Sequence, residues 1–132
     1  MSFQKTEGFS LVELIIVLLV ISILTLALTP AFKSYKIKAN RSDGIKSLLA
    51  LQIAQEKYRL NNTAYASSVA AAGLSTNSID GYYTLAVSTS GASNYTLTAT
   101  ATGDQTNDTG CTTLTITYAT NTTNKTPTNC WQ

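Results

Sequence analysis

Few side chains in this sequence are of the types that carry acid–base, nucleophilic or metal chemistry. The 132-residue chain has no histidine, two cysteines and seven acidic residues. Without histidine, a His-based catalytic triad, a His metal site and a His proton shuttle are all excluded. Cys111 and Cys130 are too few for a Cys-only zinc site, and no CxxC motif supports a catalytic role for them. We therefore expect a protein that is not an enzyme, with no catalytic residue, no metal and no cofactor.

Asp104 and Asp108 are the remaining candidates for cation binding, because they flank a predicted loop. Calcium takes about six to eight oxygen ligands, and no further acidic residue lies near these two in the sequence. The pair therefore makes a poor calcium site. The chain also lacks a glycine-rich phosphate-binding loop and a nucleophile beside a base.

Glu13 is the acidic residue whose position is most informative. It is the only charge in residues 9–32, where residues 14–32 supply 19 predominantly apolar residues. A membrane-spanning helix needs about 20 such residues, and a carboxylate within it costs on the order of a few kcal/mol. A cleavable signal peptide has its cleavage site after the apolar run, whereas Gly8 precedes the run here. The pattern indicates an apolar helix in which the single carboxylate has a functional role.

Charge is distributed unevenly and divides the chain into three parts. The apolar segment is followed by residues 33–59, which carry nine charges, and by residues 60–132, which carry four. The last part is rich in Thr, Ser, Asn and Ala instead. The net charge of +2 is too weak for a nucleic-acid-binding protein that works through bulk charge.

Hydrophobic periodicity predicts how the second and third parts fold. A helix continuing to about Leu60 has one apolar stripe that should cover a sheet. That stripe comprises Ile45, Leu48, Leu49, Ile53 and Leu60. Leu51 and Tyr58 lie on another face, where we expect them to touch neighbouring subunits.

Three alternating runs predict strands at residues 82–88, 95–102 and 112–120. The residues sharing one face of these strands are Tyr83, Leu85, Val87, Tyr95, Leu97, Ala99, Ala101, Leu114, Ile116 and Tyr118. Turn signals lie at residues 91–94 and 103–110, and residues 61–81 form a connection with one helical turn at 67–72. The predicted fold class is α+β, with a long N-terminal α-helix packed on an antiparallel sheet of three to four strands.

The residues around Gly8 carry a resemblance to a known family. The run Lys5-Thr6-Glu7-Gly8-Phe9-Ser10-Leu11-Val12-Glu13 resembles the leader junction of type IV prepilins, with a polar leader, a glycine, an aromatic residue and a glutamate at the fifth mature position. Pro30 fits the same pattern. The resemblance implies the type IV pilin fold, cleavage between Gly8 and Phe9 by a prepilin peptidase, and N-methylation of Phe9. Glu7, where many relatives carry a basic residue, should alter processing efficiency rather than abolish it.

Cleavage would provide a cation for Glu13. The carboxylate lies four residues after Phe9, about 6 Å along a helix, and a free Phe9 amine is cationic near neutral pH. We expect Glu13 of one subunit to neutralise the Phe9 amine of the next in a filament core. Pairing within its own chain, or extension to the membrane interface, are the alternatives. Pro30 removes a helix hydrogen bond, which predicts either a segment that loosens in the filament or a static kink.

A basic patch follows the apolar helix. It comprises Lys33, Lys36, Lys38, Arg41 and Lys46. We expect a solvated face just beyond the membrane, and binding to anionic lipid, DNA or acidic faces of other subunits is the alternative. The positive-inside rule would place this patch in the cytoplasm, but the leader motif and the cysteines favour the opposite side.

The cysteines resemble the C-terminal disulfide-bounded loop of pilins. A Cys111–Cys130 disulfide fits an oxidising compartment, and closing a loop of about 20 residues contributes roughly 3 kcal/mol. Two free buried thiols are the alternative. The pseudopilins of type II secretion use a calcium-bound loop where pilins use a disulfide, so the pair favours a pilin.

The resemblance extends over most of the chain, and the tract 55–65 together with the Cys130-Trp131 ending is similar to PilE-type minor pilins of type IVa systems. It implies a leader at 1–8, a hydrophobic membrane and filament-core helix at 9–32, an amphipathic helix at 33–60 and a sheet-bearing head at 61–132. It also implies a structural, minor subunit of a type IV pilus that supports assembly, twitching motility, adhesion or DNA uptake. A major pilin, a DNA-uptake receptor and a type II secretion pseudopilin are the alternatives.

The location and partners follow from the same resemblance. The processed chain is expected in the bacterial inner membrane as a single-pass protein with a periplasmic C-terminus, and in the extracellular pilus after assembly. The expected partners are other pilin subunits, the prepilin peptidase, the inner-membrane assembly platform and inner-membrane lipid. Nucleic acid is a weaker expectation.

Overall fold

The computed structural model describes residues 8–89 and 92–132, apart from the side chains of residues 28 and 29. The chain divides into two compact units, Met1–Tyr35 and Lys36–Gln132. Most of the leader and residue 91 of the first predicted turn lie outside the described residues.

Helix α1 spans Leu11–Asn61 and includes Pro30. It begins two residues after the predicted start and ends within a residue of the predicted end. Its C-terminus is closed by side chains, since the Asn62 amide donates to the carbonyl of Tyr58 at 2.8 Å and Arg59 donates to the carbonyl of Asn62 at 2.8 Å. The first bond satisfies a carbonyl of the last turn that has no helical partner, and the second holds the residue that follows the helix.

Over the described residues, no unbroken helix has both the length and the apolar composition of a membrane span. Two segments separated by a bend, Leu11–Ala27 and Pro30–Asn61, satisfy both requirements as a pair, on length and composition alone.

The head contains a four-stranded antiparallel sheet in which each strand pairs with the next along the chain. The strands are β1 (Tyr83–Thr89), β2 (Tyr95–Ala101), β3 (Thr113–Ala119) and β4 (Thr122–Thr126). The predicted α+β fold and its first three strands are confirmed. The sequence did not single out β4, because its five residues are polar and all exposed, so no alternation marks it.

The core lies between the sheet and the C-terminal part of α1. The residues predicted to share one face of the strands are buried or half-buried. Four of them are fully buried: Tyr83, Leu97, Leu114 and Ile116. Register places Leu85 beside Ala99 and Ala99 beside Leu114. The inward side chains of three strands therefore meet in one layer.

The predicted apolar stripe of α1 is correct in its first half and wrong in its second: Leu48 is fully buried, and Ile45 and Leu49 pack against the core. Ile53 and Leu60 are 58% and 84% exposed, whereas Leu51, expected to face neighbouring subunits, is fully buried. The buried face contains small and polar residues that a hydrophobicity count does not mark: an added Cβ at Gly44 would lie 2.9 Å from the Tyr83 ring, and Gln55 is fully buried.

Gln55 can be buried because both the nitrogen and the oxygen of its side-chain amide form hydrogen bonds. It donates to the carbonyl of Ala66 at 3.0 Å and accepts from the Ala66 N–H at 2.8 Å. Buried polar groups are tolerated when they are paired in this way. The following residues make the expected single turn, in which the Ala72 N–H donates to the Ser68 carbonyl at 3.2 Å.

Replacing Gly44 by valine should destabilise the head by about 1–3 kcal/mol, because the new side chain collides with the buried Tyr83 ring. Unfolding of the full chain in detergent, followed by fluorescence of the single tryptophan, measures the change. Ser42→Val, at an exposed position of the same helix, is the control. Equal stability of the two variants would contradict the assigned packing.

Candidate functional site

The N-terminal unit presents an apolar surface. Its large apolar side chains from Leu11 to Leu26 are between 47% and 77% exposed, and Phe9 is 81% exposed. Glu13 lies in the first turn of α1, where the helix dipole favours a negative charge. No ion pair to Glu13 is formed within the described residues. The described residues of this unit therefore present an apolar helix with one carboxylate in its first turn.

The helix before Pro30 contains two hydroxyl side chains that bond to its own backbone. Ser22 donates to the carbonyl of Leu18 at 2.7 Å, and Thr25 donates to the carbonyls of Ile21 and Ser22 at 3.0 and 2.9 Å. Such bonds are known to bend helices slightly. They lie within the two turns before the carbonyl of Leu26, to which Pro30 cannot donate because it has no N–H.

Arg41 is not part of a solvated basic face, and this expectation is corrected. Its guanidinium donates to both carboxylate oxygens of Asp108 at 2.8 and 2.7 Å, and the two side chains are only 14% and 5% exposed. The hydrogen bonds to Asp108 raise the pKa of Arg41. A bidentate pair fixes the orientation of both groups, so Asp108 holds the β2–β3 connection against α1.

Gln105 strengthens the same attachment. It lies in a short 3-10 helix, Gly103–Asn107, and is 1% exposed. Its amide nitrogen lies 2.9 Å from the Ile37 carbonyl, 3.0 Å from the Tyr83 hydroxyl and 3.3 Å from the Asp108 carboxylate, and its two hydrogens are shared among these three acceptors. Burial raises the pKa of Tyr83, which keeps its hydroxyl neutral.

Asp43 attaches the other long connection, between α1 and β1. Its carboxylate is buried and accepts from the Ser78 hydroxyl at 2.5 Å, the Asp80 N–H at 3.1 Å and the Tyr82 N–H at 3.3 Å. Sequence reasoning missed this role. The available signal was an aspartate four residues before Ser47, on a face of α1 that also carries Gly44.

Three tyrosines close the opposite end of the core. The rings of Tyr65, Tyr95 and Tyr118 lie with centroids 4.7 to 5.7 Å apart, and the hydroxyls of Tyr65 and Tyr95 donate to Glu56 at 3.4 and 3.3 Å. Burial raises the pKa of Tyr65 to about 12 and also raises the pKa of Tyr95. Both hydroxyls therefore remain donors to a higher pH than those of exposed tyrosines would.

Cys111 and Cys130 form a disulfide that closes a 19-residue separation, and both are buried. The bond holds the C-terminal segment, including β4, on the core. Lys125 of β4 lies with its ammonium 5.2 Å from the centre of the Trp131 ring, within the range of a cation–π contact.

Within the compact unit Lys36–Gln132, every lysine and arginine except Lys125 lies on α1. Lys36, Lys38, Lys46 and Lys57 are exposed on the helix, whereas residues 62–132 contain only Lys125 against three aspartates. The sheet and its connections are therefore not a basic surface.

The exposed large apolar side chains of the same unit are also confined to part of its surface. Among the described residues 36–132, the large hydrophobic side chains that are exposed are Ile53, Leu60, Leu74 and Ile79. All four belong to α1 or to the connection that follows it, and none belongs to a strand.

An apolar N-terminal helix with a first-turn glutamate, continued by a helix packed on a four-stranded antiparallel sheet with a disulfide, defines a type IV pilin. The sequence comparisons agree. Residues 4–29 match the prokaryotic N-terminal methylation motif, and residues 30–115 match the family described as type IV minor pilin ComP, DNA uptake sequence receptor. The chain belongs to this type IV minor pilin family.

The curated relatives are components of a secretion system. The chain is 32% identical over 62 residues to type II secretion system core protein G of Klebsiella pneumoniae, covering 47% of the chain and 44% of that protein. It is 31% identical over 62 residues to core protein G of Escherichia coli K12, covering 47% and 43%, and 29% identical over 65 residues to that of Aeromonas hydrophila, covering 49% and 46%. The chain thus covers less than half the length of these relatives.

Replacing Arg41 by alanine should destabilise the head by about 3 kcal/mol, because Asp108 is left buried without a counter-charge. The measurement is unfolding of the full chain in detergent at neutral pH. Lys38→Ala removes an exposed cation one turn earlier and should change stability by less than about 0.5 kcal/mol. The Arg41→Ala/Asp108→Ala double variant should lose less than the two single losses together; strict additivity would refute the pairing.

Proposed function

We propose that this chain is a structural, minor subunit of a type IV pilus. The observation that carries the proposal is the apolar helix, which is led by the methylation motif and exposes its large side chains along its length. In water such a surface is unfavourable. Insertion in a membrane before assembly, and burial among other subunits after it, each remove that surface from water.

Processing would prepare the helix for assembly. The peptidase cleaves between Gly8 and Phe9 on the cytoplasmic side, and Phe9 becomes the methylated N-terminus. The product is held in the inner membrane by residues 9–32 with residues 33–60 and the head at 61–132 on the periplasmic side. The inner-membrane assembly platform then transfers it into the filament.

Glu13 would act at the transfer step. Its charge opposes residence in the membrane at a cost on the order of a few kcal/mol, and the Phe9 amine of the neighbouring subunit offsets that cost by pairing with it. This pairing sets how far one subunit is displaced along the next. Pro30 supplies a position at which α1 lacks one hydrogen bond, where the helix can adjust as it packs.

The test is the intact mass of the protein recovered from sheared surface filaments. We expect a chain that begins at methylated Phe9 and has lost two hydrogens through the Cys111–Cys130 bond. A chain that retains residues 1–8 and stays in the membrane fraction would refute the proposal. Recovery only from type II secretion filaments would favour the pseudopilin alternative, and the amount relative to other pilins separates a minor from a major subunit.

DNA binding is a second candidate function. The family description names a DNA uptake sequence receptor, and Lys125 beside Trp131 provides one cation with an aromatic ring, a combination that suits phosphate and base contacts. The charge distribution weighs against it, because residues 62–132 carry three aspartates and a single lysine. A DNA footprint would have to include the lysines of α1.

Replacing Lys125 by alanine should therefore reduce DNA affinity and lower the slope of log affinity against log salt by about one, if the protein contacts DNA through this residue. Binding of the full chain in detergent to double-stranded DNA is measured at several salt concentrations. Lys125→Arg, which keeps the positive charge at this position, is the matched control and should leave the slope unchanged. Absence of wild-type binding at low salt would remove this candidate.

A further inference from the structure

The side of the sheet that points away from the core carries no charged residue in any of its four strands. Alternate residues of each strand project from this side, where they are exposed or half-buried, and every one is Thr, Ser, Ala or Asn. We refer to this surface, from the start of β1 to the end of β4, as the hydroxyl face. Strand register aligns its side chains in rows, and two rows contain three threonines each: Thr84, Thr100 and Thr113, then Thr98, Thr115 and Thr126.

The hydroxyl groups of these two rows are free to bind another molecule. Within residues 8–89 and 92–132, none of these six hydroxyls forms a hydrogen bond, whereas Thr102 and Thr106, in the β2–β3 connection, donate to backbone carbonyls. A hydroxyl group both donates and accepts hydrogen bonds, and each threonine also presents a methyl group. The hydroxyl face therefore offers polar and apolar groups side by side in regular rows.

The absence of charge on the hydroxyl face restricts the class of ligand. Lys125 of β4 pairs with the inward residue Ile116 and lies over the Trp131 ring, so its ammonium is on the other side of the sheet. A nucleic acid gains much of its affinity from cations that neutralise its phosphates, and the hydroxyl face provides none. A neutral ligand that has its own hydroxyl and C–H groups is complementary to this surface.

The dimensions of the hydroxyl face favour an extended polymer over a protein partner. Four strands of five to seven residues, spaced about 4.8 Å apart, cover on the order of 300 Å². Stable protein complexes bury about 800 Å² per partner. The strand spacing is close to the length that one sugar ring adds to a β-1,4-linked glycan. A glycan chain lying across the strands can therefore place one ring beside each strand.

We propose that the hydroxyl face binds a neutral polysaccharide. The threonine hydroxyls exchange hydrogen bonds with the sugar hydroxyls, and the threonine methyl groups contact the C–H groups of the rings. Each contact is weak, so binding requires several rows at once, and several copies on one surface increase the avidity. The inference goes beyond the proposed place of this chain in a pilus and does not depend on it.

The test is binding of the full chain, in a detergent without a sugar head group, to three neutral polysaccharides: hydroxyethyl cellulose, dextran and mannan. The variant is Thr98→Val/Thr115→Val, which removes two paired hydroxyls and keeps β-branched side chains that suit strands. Thr123→Val is the control, because this exposed threonine pairs with the inward residue Tyr118 and lies on the other side of β4. Fluorescence of the single tryptophan and formation of the disulfide verify that each variant is folded.

We expect the unmodified chain to bind at least one of the three polymers, with an affinity that does not change between low and high salt, since no ion pair is involved. The valine pair should weaken this binding on the order of tenfold, and Thr123→Val should leave it unchanged. Binding to none of the polymers would overturn the proposal, as would equal binding by the two variants. Affinity that falls steeply with salt would assign the binding to the lysines of α1 instead.

Sedimentation of the same variants tests whether a second copy of the chain occupies the hydroxyl face. If the valine pair alters self-association while polysaccharide binding stays unchanged, the occupant is another head and the proposal is refuted. The pilus proposal is tested separately by recovery from filaments. A chain that binds polysaccharide but is absent from filaments would refute only the pilus proposal, and a filament subunit that binds none of the polymers would refute only this inference.

Discussion

One helix has to satisfy two environments, and the rest of the structure depends on this constraint. The N-terminal residues of α1 are apolar around the helix and gain from removal from water on every side. The C-terminal residues have one buried face that supports a sheet and one face that remains exposed. The head is therefore built on a helix whose other part exposes an apolar surface, which we propose is covered by a membrane or by other subunits.

The head is held to its helix by polar anchors as well as by apolar packing. Arg41 fixes the β2–β3 connection through Asp108, Asp43 fixes the α1–β1 connection, and Gln55 fixes the backbone at Ala66. Each anchor is buried or nearly so, and a buried polar group is stable only when its partners are correctly placed. These three residues thus determine where the long connections run.

The position of these connections defines the surfaces available for function. The α1–β1 connection runs beside the exposed face of α1, so Asp43 helps to define the surface that these two segments present. The β2–β3 connection exposes Asp104 while Asp108 is turned inward to Arg41. Asp104 and Asp108, the two aspartates considered as calcium ligands, therefore have different roles. Asp108 is the buried counter-charge of Arg41, and Asp104 is exposed. The disulfide fixes the last strand, where the only cation of residues 62–132 is found.

Local patterns in the sequence were enough to predict the α+β architecture and to mark the N-terminal methylation motif. The leader residues, the single carboxylate in an apolar run and the alternation of three strands each depend on neighbours within a few residues. Strand β4 was not visible, because five exposed polar residues have no alternation and pair only with Ile116 and its neighbours on β3.

The tertiary structure decided which face of α1 is buried and which cations are free. The inner face contains Gly44, Ser47 and Gln55, whose burial is favourable only because Tyr83, the α1–β1 connection and Ala66 lie opposite them. Arg41 has the same charge as its neighbouring lysines in the sequence, and Asp108, 67 residues away, gives it a different role. Such long-range partners leave no periodic signal in the sequence. The sequence by itself therefore determined the helix and the first three strands, whereas the tertiary structure determined which of their faces are buried and which remain exposed.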